Sequence, residues 1–484
     1  MEEVNFLLFG GIDVGTTGVK VIISDEQGNV ISSISHDFKF SKLSLPDGYS
    51  EQNPKIWWEE LKSTLKLIIR DLEGKFLFAS DIKAISVDST SGTIIPIDKN
   101  HEPLHNALMY NDNRSINEAK KINDLSQDFY LKFKPSFALS KILWFRENKP
   151  KMYINTYKFV HAADYLVGKL TGDFSISDSS NSLKTGYDII RKRWPPFFEE
   201  LGITLDKLPE VVQPGEKIGE ITKKCAEETG LSTATNVVAG VTDGTAGVIA
   251  SGAVNPRDIF NVIGTTLVER VVTKKLIIDK EGRIYCHQLP TGNFLPGGAS
   301  NVGGEVLKKH FPNDNLKVMD KKSTEYKPSN LIIYPLARKG ERLPFINPLA
   351  ESFVVGEPKD KYHLFTGCLE AVAYVERWIL DILKKLGAKL GTTVYSTGGG
   401  AYSDEWCQIR ADVLNKIIRR PMIVESAMGA AILAAKYAIY KDLVKATKKM
   451  VHYRDHFVPN SEMKKIYEAI YKKFRDECDK RNYK

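Results

Sequence analysis

Short β-branched runs bounded by turn residues open the chain. Val4–Phe9, Val19–Ser24 and Val30–Ser35 each read as a strand, with Glu26-Gln27-Gly28-Asn29 as one of the turns between them. The period then changes. Trp57, Leu61, Leu65, Ile68 and Leu72 form a helical stripe behind Asn53, a capping residue, and Pro54, which suits a first turn. Ile82–Val87 is a continuous apolar run, the pattern of a buried strand, and Asp88–Thr93 is the polar loop at its end. The second half repeats the theme. Asn236–Val241 reads as a strand ending in Asp243-Gly244-Thr245, and Ile259–Val262 with Leu267–Val272 reads as a hairpin. A long helix is expected from about His363 to Leu386. The strand Val394–Thr397 then leads through Gly398-Gly399-Gly400 into a helix over Trp406, Ile409 and Val413. Strands alternating with helices in each half give an α/β protein, with ligands expected beyond the strand ends.

A chain of 484 residues is too long for one core. The expected division is 1–252 and 253–440, followed by a Lys-rich helical stretch, 441–484, read as a surface appendage. The composition, 42% hydrophobic and 26% charged, is that of a soluble globular protein. It contains no run of about 18 apolar residues, so no membrane partner is expected. Met1-Glu2-Glu3-Val4 lacks a basic segment and cleavage site, and reads as the approach to the first strand. Five scattered cysteines without metal spacing point to a reducing cytoplasm. The net charge of +8 comes from lysines mixed with glutamates, which reads as a solvated surface with a mild pull on anionic substrates, and no nucleic acid is expected.

One short motif occurs twice. Gly11-Ile12-Asp13-Val14-Gly15-Thr16-Thr17-Gly18 opens the protein, and Asn261-Val262-Ile263-Gly264-Thr265-Thr266 recurs at mid-chain. Each sets Gly-Thr-Thr between apolar segments, a tight turn whose hydroxyls and backbone N–H groups suit phosphate. One copy alone is more often just a hairpin. Two copies suggest a nucleotide gripped from both sides of a cleft. Asp13, placed in the first turn, suggests Mg²⁺ reached through water, against the plainer reading of an aspartate bonding its own turn. Asp243 at a strand end could take the proton of a substrate hydroxyl attacking a γ-phosphate, and could equally cap the helix Ala246–Ala250. Lys20 is near enough in sequence to reach a phosphate, though strand lysines commonly face solvent. Gly398–Ala401 is a platform for base or ribose, or close strand–helix packing, and the loop Gly297–Asn301 has the same character.

These parts in this order resemble the FGGY family of carbohydrate kinases. The resemblance also takes in Gly48-Tyr49-Ser50-Glu51-Gln52-Asn53-Pro54 with Trp57-Trp58, Tyr110–Arg114, Ser136–Asn148 around Lys141 and Trp144, Leu369–Tyr374 and Gly398–Trp406. It implies two actin/hexokinase-type (ribonuclease H-like) domains with ATP and Mg²⁺ in the cleft. It further implies Asp243 as general base, Asp13 toward the metal, and Thr16, Thr17, Lys20, Gly264, Thr265 and Thr266 toward the phosphates. Gly399, Gly400 and Ser403, with Gly298 and Asn301, would serve the nucleotide.

The sugar pocket is where subfamilies part. Glycerol kinases carry Arg-Glu, and bacterial xylulokinases Met-His, where this chain has Ser91-Gly92. The string Asp88–Thr93, with Leu183–Tyr187 and Gly340-Glu341-Arg342, looks more like a xylulokinase-like subgroup implicated in ribulose phosphorylation. Ser91, Tyr110, Asp112 and Asp243 would then bind a ketopentose such as D-ribulose or D-xylulose. The implied partners are the sugar and ATP, with a homodimer allowed for. An ATP-driven chaperone or filament subunit, and a degenerate kinase used as a sugar sensor, are the competing classes. The first would need a further binding domain, and the second does not need both aspartates and both turns.

Overall fold

The structure is a computed structural model that describes residues 6–40 and 44–484. Val4 and Asn5 of the first expected strand lie outside the described residues. The chain forms two compact units: Met1–Ala250 with His287–Thr291 and Glu425–Val451, and Ser251–Cys286 with Gly292–Val424 and His452–Lys484.

The first unit carries a six-stranded sheet in the order Lys217–Glu220, Asn236–Val238, Ile82–Ser89, Leu8–Val14, Gly18–Ser24, Val30–Asp37. Leu8–Val14 pairs antiparallel with Gly18–Ser24 and parallel with Ile82–Ser89. The second unit repeats this arrangement in a seven-stranded sheet. There Ile259–Ile263 pairs antiparallel with Leu267–Val271 and parallel with Thr393–Thr397. A hairpin flanked by a parallel strand is thus built twice, which is the structural form of the repeated sequence motif.

The helix Pro54–Glu73 forms as its stripe predicts. Asn53 Oδ1 accepts the Lys55 N–H, and Trp57, Leu61, Leu65, Ile68 and Leu72 are buried. The first strand begins and ends later than its apolar pattern suggests. It runs Leu8–Val14, so Asp13 stands in a strand and not in the turn, which is Gly15-Thr16-Thr17. The glycines explain the difference. The helix Ser426–Ala435, almost wholly buried, lies directly on this strand, and a Cβ on Gly11 would stand 1.7 Å from the Ala427 carbonyl oxygen. Gly11 therefore serves packing, not a ligand, and Gly10 makes room for Ile85, whose Cγ2 a Cβ there would meet at 2.6 Å. The same helix meets Asp243–Ser251, where a Cβ on Gly429 would come 2.0 Å from the Ala246 carbonyl oxygen.

In the second unit the helices Lys361–Lys385, Asp404–Leu414 and Ser461–Lys480 pack on one another and on the sheet. Tyr467, Ile470, Tyr471, Phe474 and Cys478 of the last helix are buried in the same core as Tyr334, Tyr374 and Trp378. The stretch after 440 is therefore no appendage. Its first part returns to the first unit, and its last helix closes the second core. Lysines on the exposed face of that helix hid the apolar stripe from a composition-based reading. Under the sheet, Arg410 and Glu376 form a fully buried ion pair at 2.7 and 2.9 Å, extended to Ser396 and Asn261. Neighbouring Glu269 is held well above the ordinary carboxylate range by burial and by Glu376.

Candidate functional site

In the first unit the candidate residues gather at one end of the sheet. Asp13 and Asp88 face each other across neighbouring parallel strands, and Ser89 bridges to Thr242, the residue before Asp243. The strand Ile82–Ser89 is longer than predicted, so Asp88 is a strand residue and not part of the loop. Asp88 is fully buried, and apart from the hydrogen bond the two carboxyls share, neither of its oxygens nor Asp13 Oδ1 meets a partner among the described residues. Burial, then the charge of Asp243, lifts Asp13 to about 6. Burial, then the charge of Asp13, holds Asp88 well above the ordinary carboxylate range. Asp88 is accordingly the carboxyl that keeps its proton, and Asp13 the one that accepts it as a hydrogen bond. An unsatisfied oxygen on an ionisable carboxylate fits a hydrated divalent cation.

Asp243 is the first residue of the helix Asp243–Ser251, half-buried, with Oδ1 accepting the Gly244 N–H at 2.6 Å. Both expected roles, reactive carboxylate and helix start, occupy the same position.

The first Gly-Thr-Thr turn is fixed through its carbonyls. Gly15 N–H donates to Gly18 O, Gln52 Nε2 to Thr16 O at 2.8 Å, and Phe38 N–H to Thr17 O at 2.7 Å. Gln52 in turn accepts from Trp57 Nε1, which ties the segment Glu51–Trp57 to this turn. Lys20 lies opposite Asp13 in register but donates to Glu425 at 2.9 Å, so it is not an uncommitted phosphate ligand.

The residues expected around the sugar divide. Ser91 Oγ is buried without a hydrogen-bond partner among the described residues, and Tyr110 is 41% exposed. Asp112 stands differently. Oδ1 accepts from Arg114 N and Nε, and Oδ2 from Ser50 N at 2.7 Å and Arg114 Nη2 at 2.8 Å. Arg114 also holds Glu51 and lies between the rings of Tyr49 and Trp144. Asp112 is therefore saturated, and its work is to fix the Ser50 and Arg114 segments rather than to bind a hydroxyl. Lys141, fully buried, donates to Gly92 O at 2.9 Å and Met109 O at 2.6 Å, and burial pushes its amine well below the usual range. Gly92 has φ +94°, and a Cβ there would crowd Lys184 Cδ and Ser136 O at 3.2 Å.

In the second unit Gly264, Thr265, Gly399, Gly400 and Ser403 line one cavity of about 370 Å³. Its walls are Ile263, Leu307, Leu316, Phe365, Leu369 and Trp406. Ser403 caps the helix Asp404–Leu414, accepting the Trp406 N–H, and donates to Asp320 Oδ1 at 2.5 Å. Thr266 does not line this cavity, and its carbonyl closes the turn onto Gly264 N. Gly298 and Asn301 are not there either. Gly298 lies inside the strand Phe294–Ser300, and Asn301 is held by Gly340 and Glu341. The glycines of 297–298 serve close strand packing, with a Cβ on Gly297 only 2.0 Å from Glu269 O.

Sequence reasoning missed Asp88, Asp320 and the apolar walls. Asp88 carried a signal, an acidic residue closing an apolar run. Asp320 carried none, because it sits in the Lys-rich stretch Leu316–Ser323.

A family model described as FGGY family of carbohydrate kinases, N-terminal domain, matches residues 8–250, and the corresponding C-terminal domain matches residues 259–438. The chain belongs to the FGGY family of carbohydrate kinases. It is a phosphotransferase with an alcohol acceptor, and kinases of this family use ATP with Mg²⁺. The kinase is similar to a xylulose kinase of Staphylococcus epidermidis, 28% identical over 95% of this chain and 94% of that protein. It is also similar to a gluconokinase of Bacillus licheniformis, 27% identical over 95% and 93%. Among solved structures, a xyloylose kinase from Brucella ovis superposes with a TM-score of 0.88 at 23% identity, covering 97% and 98% of the two chains. A Plasmodium falciparum glycerol kinase with ADP gives 0.86 at 18% identity, covering 98% of each. These likenesses fix the two-domain actin/hexokinase-type fold of the kinase. Among the described residues no helix is long and apolar enough to cross a membrane.

Proposed function

We propose that this sugar kinase phosphorylates a terminal hydroxyl of a ketopentose, D-ribulose or D-xylulose. Asp243 removes the hydroxyl proton as the oxygen attacks the γ-phosphorus of ATP. The new P–O bond forms as the bond to the leaving ADP oxygen breaks. Asp13, with Asp88 donating to it, would hold the hydrated Mg²⁺ that accompanies the phosphates, and the ion would offset their negative charge. The phosphate contacts are assigned to Thr16 and Thr17 and to Gly264, Thr265 and Thr266. Gly399, Gly400 and Ser403 hold the adenosine end.

The observation that carries the acceptor assignment is the Ser91 hydroxyl, buried and unpartnered, beside the Gly92 turn. A site built to pair a hydroxyl penalises its absence, and a polyhydroxy ketone supplies one. Neither the Arg-Glu pair of glycerol kinases nor the Met-His of bacterial xylulokinases stands here. The test is ADP release with Mg–ATP against D-ribulose, D-xylulose, L-ribulose, L-xylulose, gluconate, glycerol and no sugar. Stimulation by a ketopentose above the others supports the reading. Stimulation by gluconate or glycerol alone overturns it.

A further inference from the structure

Residues 178–185 touch both ends of the reaction centre of the first unit. At one end, Ser180 Oγ accepts the Thr242 N–H at 3.2 Å and lies 3.3 Å from Thr242 Oγ1 and 3.5 Å from Thr245 Oγ1. These hydroxyls are buried at the start of the helix that begins with Asp243, Thr242 just before it and Thr245 in its first turn, and Thr242 Oγ1 meets Thr245 Oγ1 at 3.1 Å. At the other end, Lys184 Nζ donates to Ser91 O at 3.1 Å. We propose that Ser180 and Lys184 form a positioning clamp that sets the spacing between the base Asp243 and the acceptor-binding Ser91. The proposal rests on the kinase mechanism above and assigns it two residues that act through Thr242 and Ser91.

The clamp is itself anchored at both ends. Asp178 caps its start, accepting from Ser180 N and Asn181 N at 2.8 Å and from Asn181 Nδ2 at 2.6 Å. Its far end is fixed at Thr185 Oγ1, 2.7 Å from His161 Nε2, whose Nδ1 meets Asp164 at 2.6 Å. All of these polar groups are buried, where hydrogen bonds are strong and their loss is costly. A generic surface turn needs none of this. With only Asn181, Ser182 and Leu183 between them, Ser180 and Lys184 reach two different strand-end loops. In phosphoryl transfer the base must meet the hydroxyl within hydrogen-bond reach, and a displacement of about 1 Å can cost on the order of 100-fold in rate.

The experiment compares Ser180→Ala, Ser180→Cys, Lys184→Met and Lys184→Arg with Asp243→Ala in one steady-state assay. Sugar phosphate formed and ADP released are measured separately, and each variant is melted to check folding. The expected result for Ser180→Ala and Lys184→Met is a roughly 10- to 100-fold fall in kcat with the KM for ATP unchanged. Less sugar phosphate should form per ADP, and Lys184→Arg should recover most of the rate. A misaligned hydroxyl lets water compete, whereas a merely structural loss lowers both products together. If Asp243→Ala loses turnover while the clamp variants keep wild-type kcat and coupling, the clamp is refuted and the mechanism stands. If Asp243→Ala keeps turnover, the base assignment falls and the clamp falls with it.

Discussion

Asp88 stands beside Asp13 in register across two parallel strands, and the two carboxyls meet in a setting with room for only one negative charge. Because Asp88 keeps its proton, it behaves as a donor and not as a second anion. Asp88→Asn preserves that donor and should retain turnover within a few-fold. Asp88→Leu removes it, leaves Asp13 buried without a donor, and should lower kcat/KM for Mg–ATP by roughly 10- to 100-fold. Equal losses in the two variants would show that the charge of Asp88, not its proton, is used.

Asp13 also sets a pH dependence. Its carboxyl is lifted from 3.8 to about 6 in the folded protein. A raised carboxylate favours its neutral form, so its stabilising contribution is complete below pH 4 and is lost as pH rises through about 6. Without Mg²⁺, Asp13→Asn should therefore gain in Tm over the wild type progressively between pH 4 and 7. Turnover runs the other way, since a cation needs the ionised form, and kcat/KM for Mg–ATP should fall as pH drops below about 6. A Tm difference flat across that range would refute the assignment.

The buried pair Arg410–Glu376 ties the helix Lys361–Lys385 to Asp404–Leu414 beneath the sheet that carries Gly264. Arg410→Met leaves Glu376 charged and unpaired in the core, at a cost of about 3–5 kcal/mol. Arg410→Met with Glu376→Leu should recover part of that loss in urea unfolding, because neither ion then remains. A double variant no more stable than the single one would show that the pair is needed for packing as well.

Gly11 admits no side chain. Gly11→Ala drives a methyl group into the Ala427 carbonyl and should destabilise the first unit by about 3 kcal/mol or more, read as a lowered Tm. Gly15→Ala, in the adjacent turn, has its nearest neighbour at 3.5 Å and should be nearly neutral to folding.

The fold was legible because it depends on local pattern. The Asn53-capped stripe, the long helix near 363–386 and the repeated hairpin are all written in spacing. Asp13 and Asp243, to which the proposed mechanism gives the metal and the base, stand out in the sequence because each breaks an apolar run next to a glycine turn. What escaped was non-local. Lys20 looks free until Glu425, about 400 residues away, is folded beside it. Asp112 looks like a sugar ligand until Arg114 and the Ser50 N–H fill its oxygens. Gly11 looks like a ligand contact until a helix lands on it.

The helix Ser426–Ala435 has one more consequence, in the order of events during synthesis. It supplies the layer against which Leu8–Val14 and the helix Asp243–Ser251 are packed, yet it is translated after the principal strands of the second sheet. A ribosome that has released residues 1–250 has therefore not released a complete first unit. Its glycine-lined seat must stay open, with apolar surface in solvent, until the distant helix emerges. Such an open intermediate is a natural client for a chaperone, and its burial is delayed by the rate of translation rather than by the rate of folding.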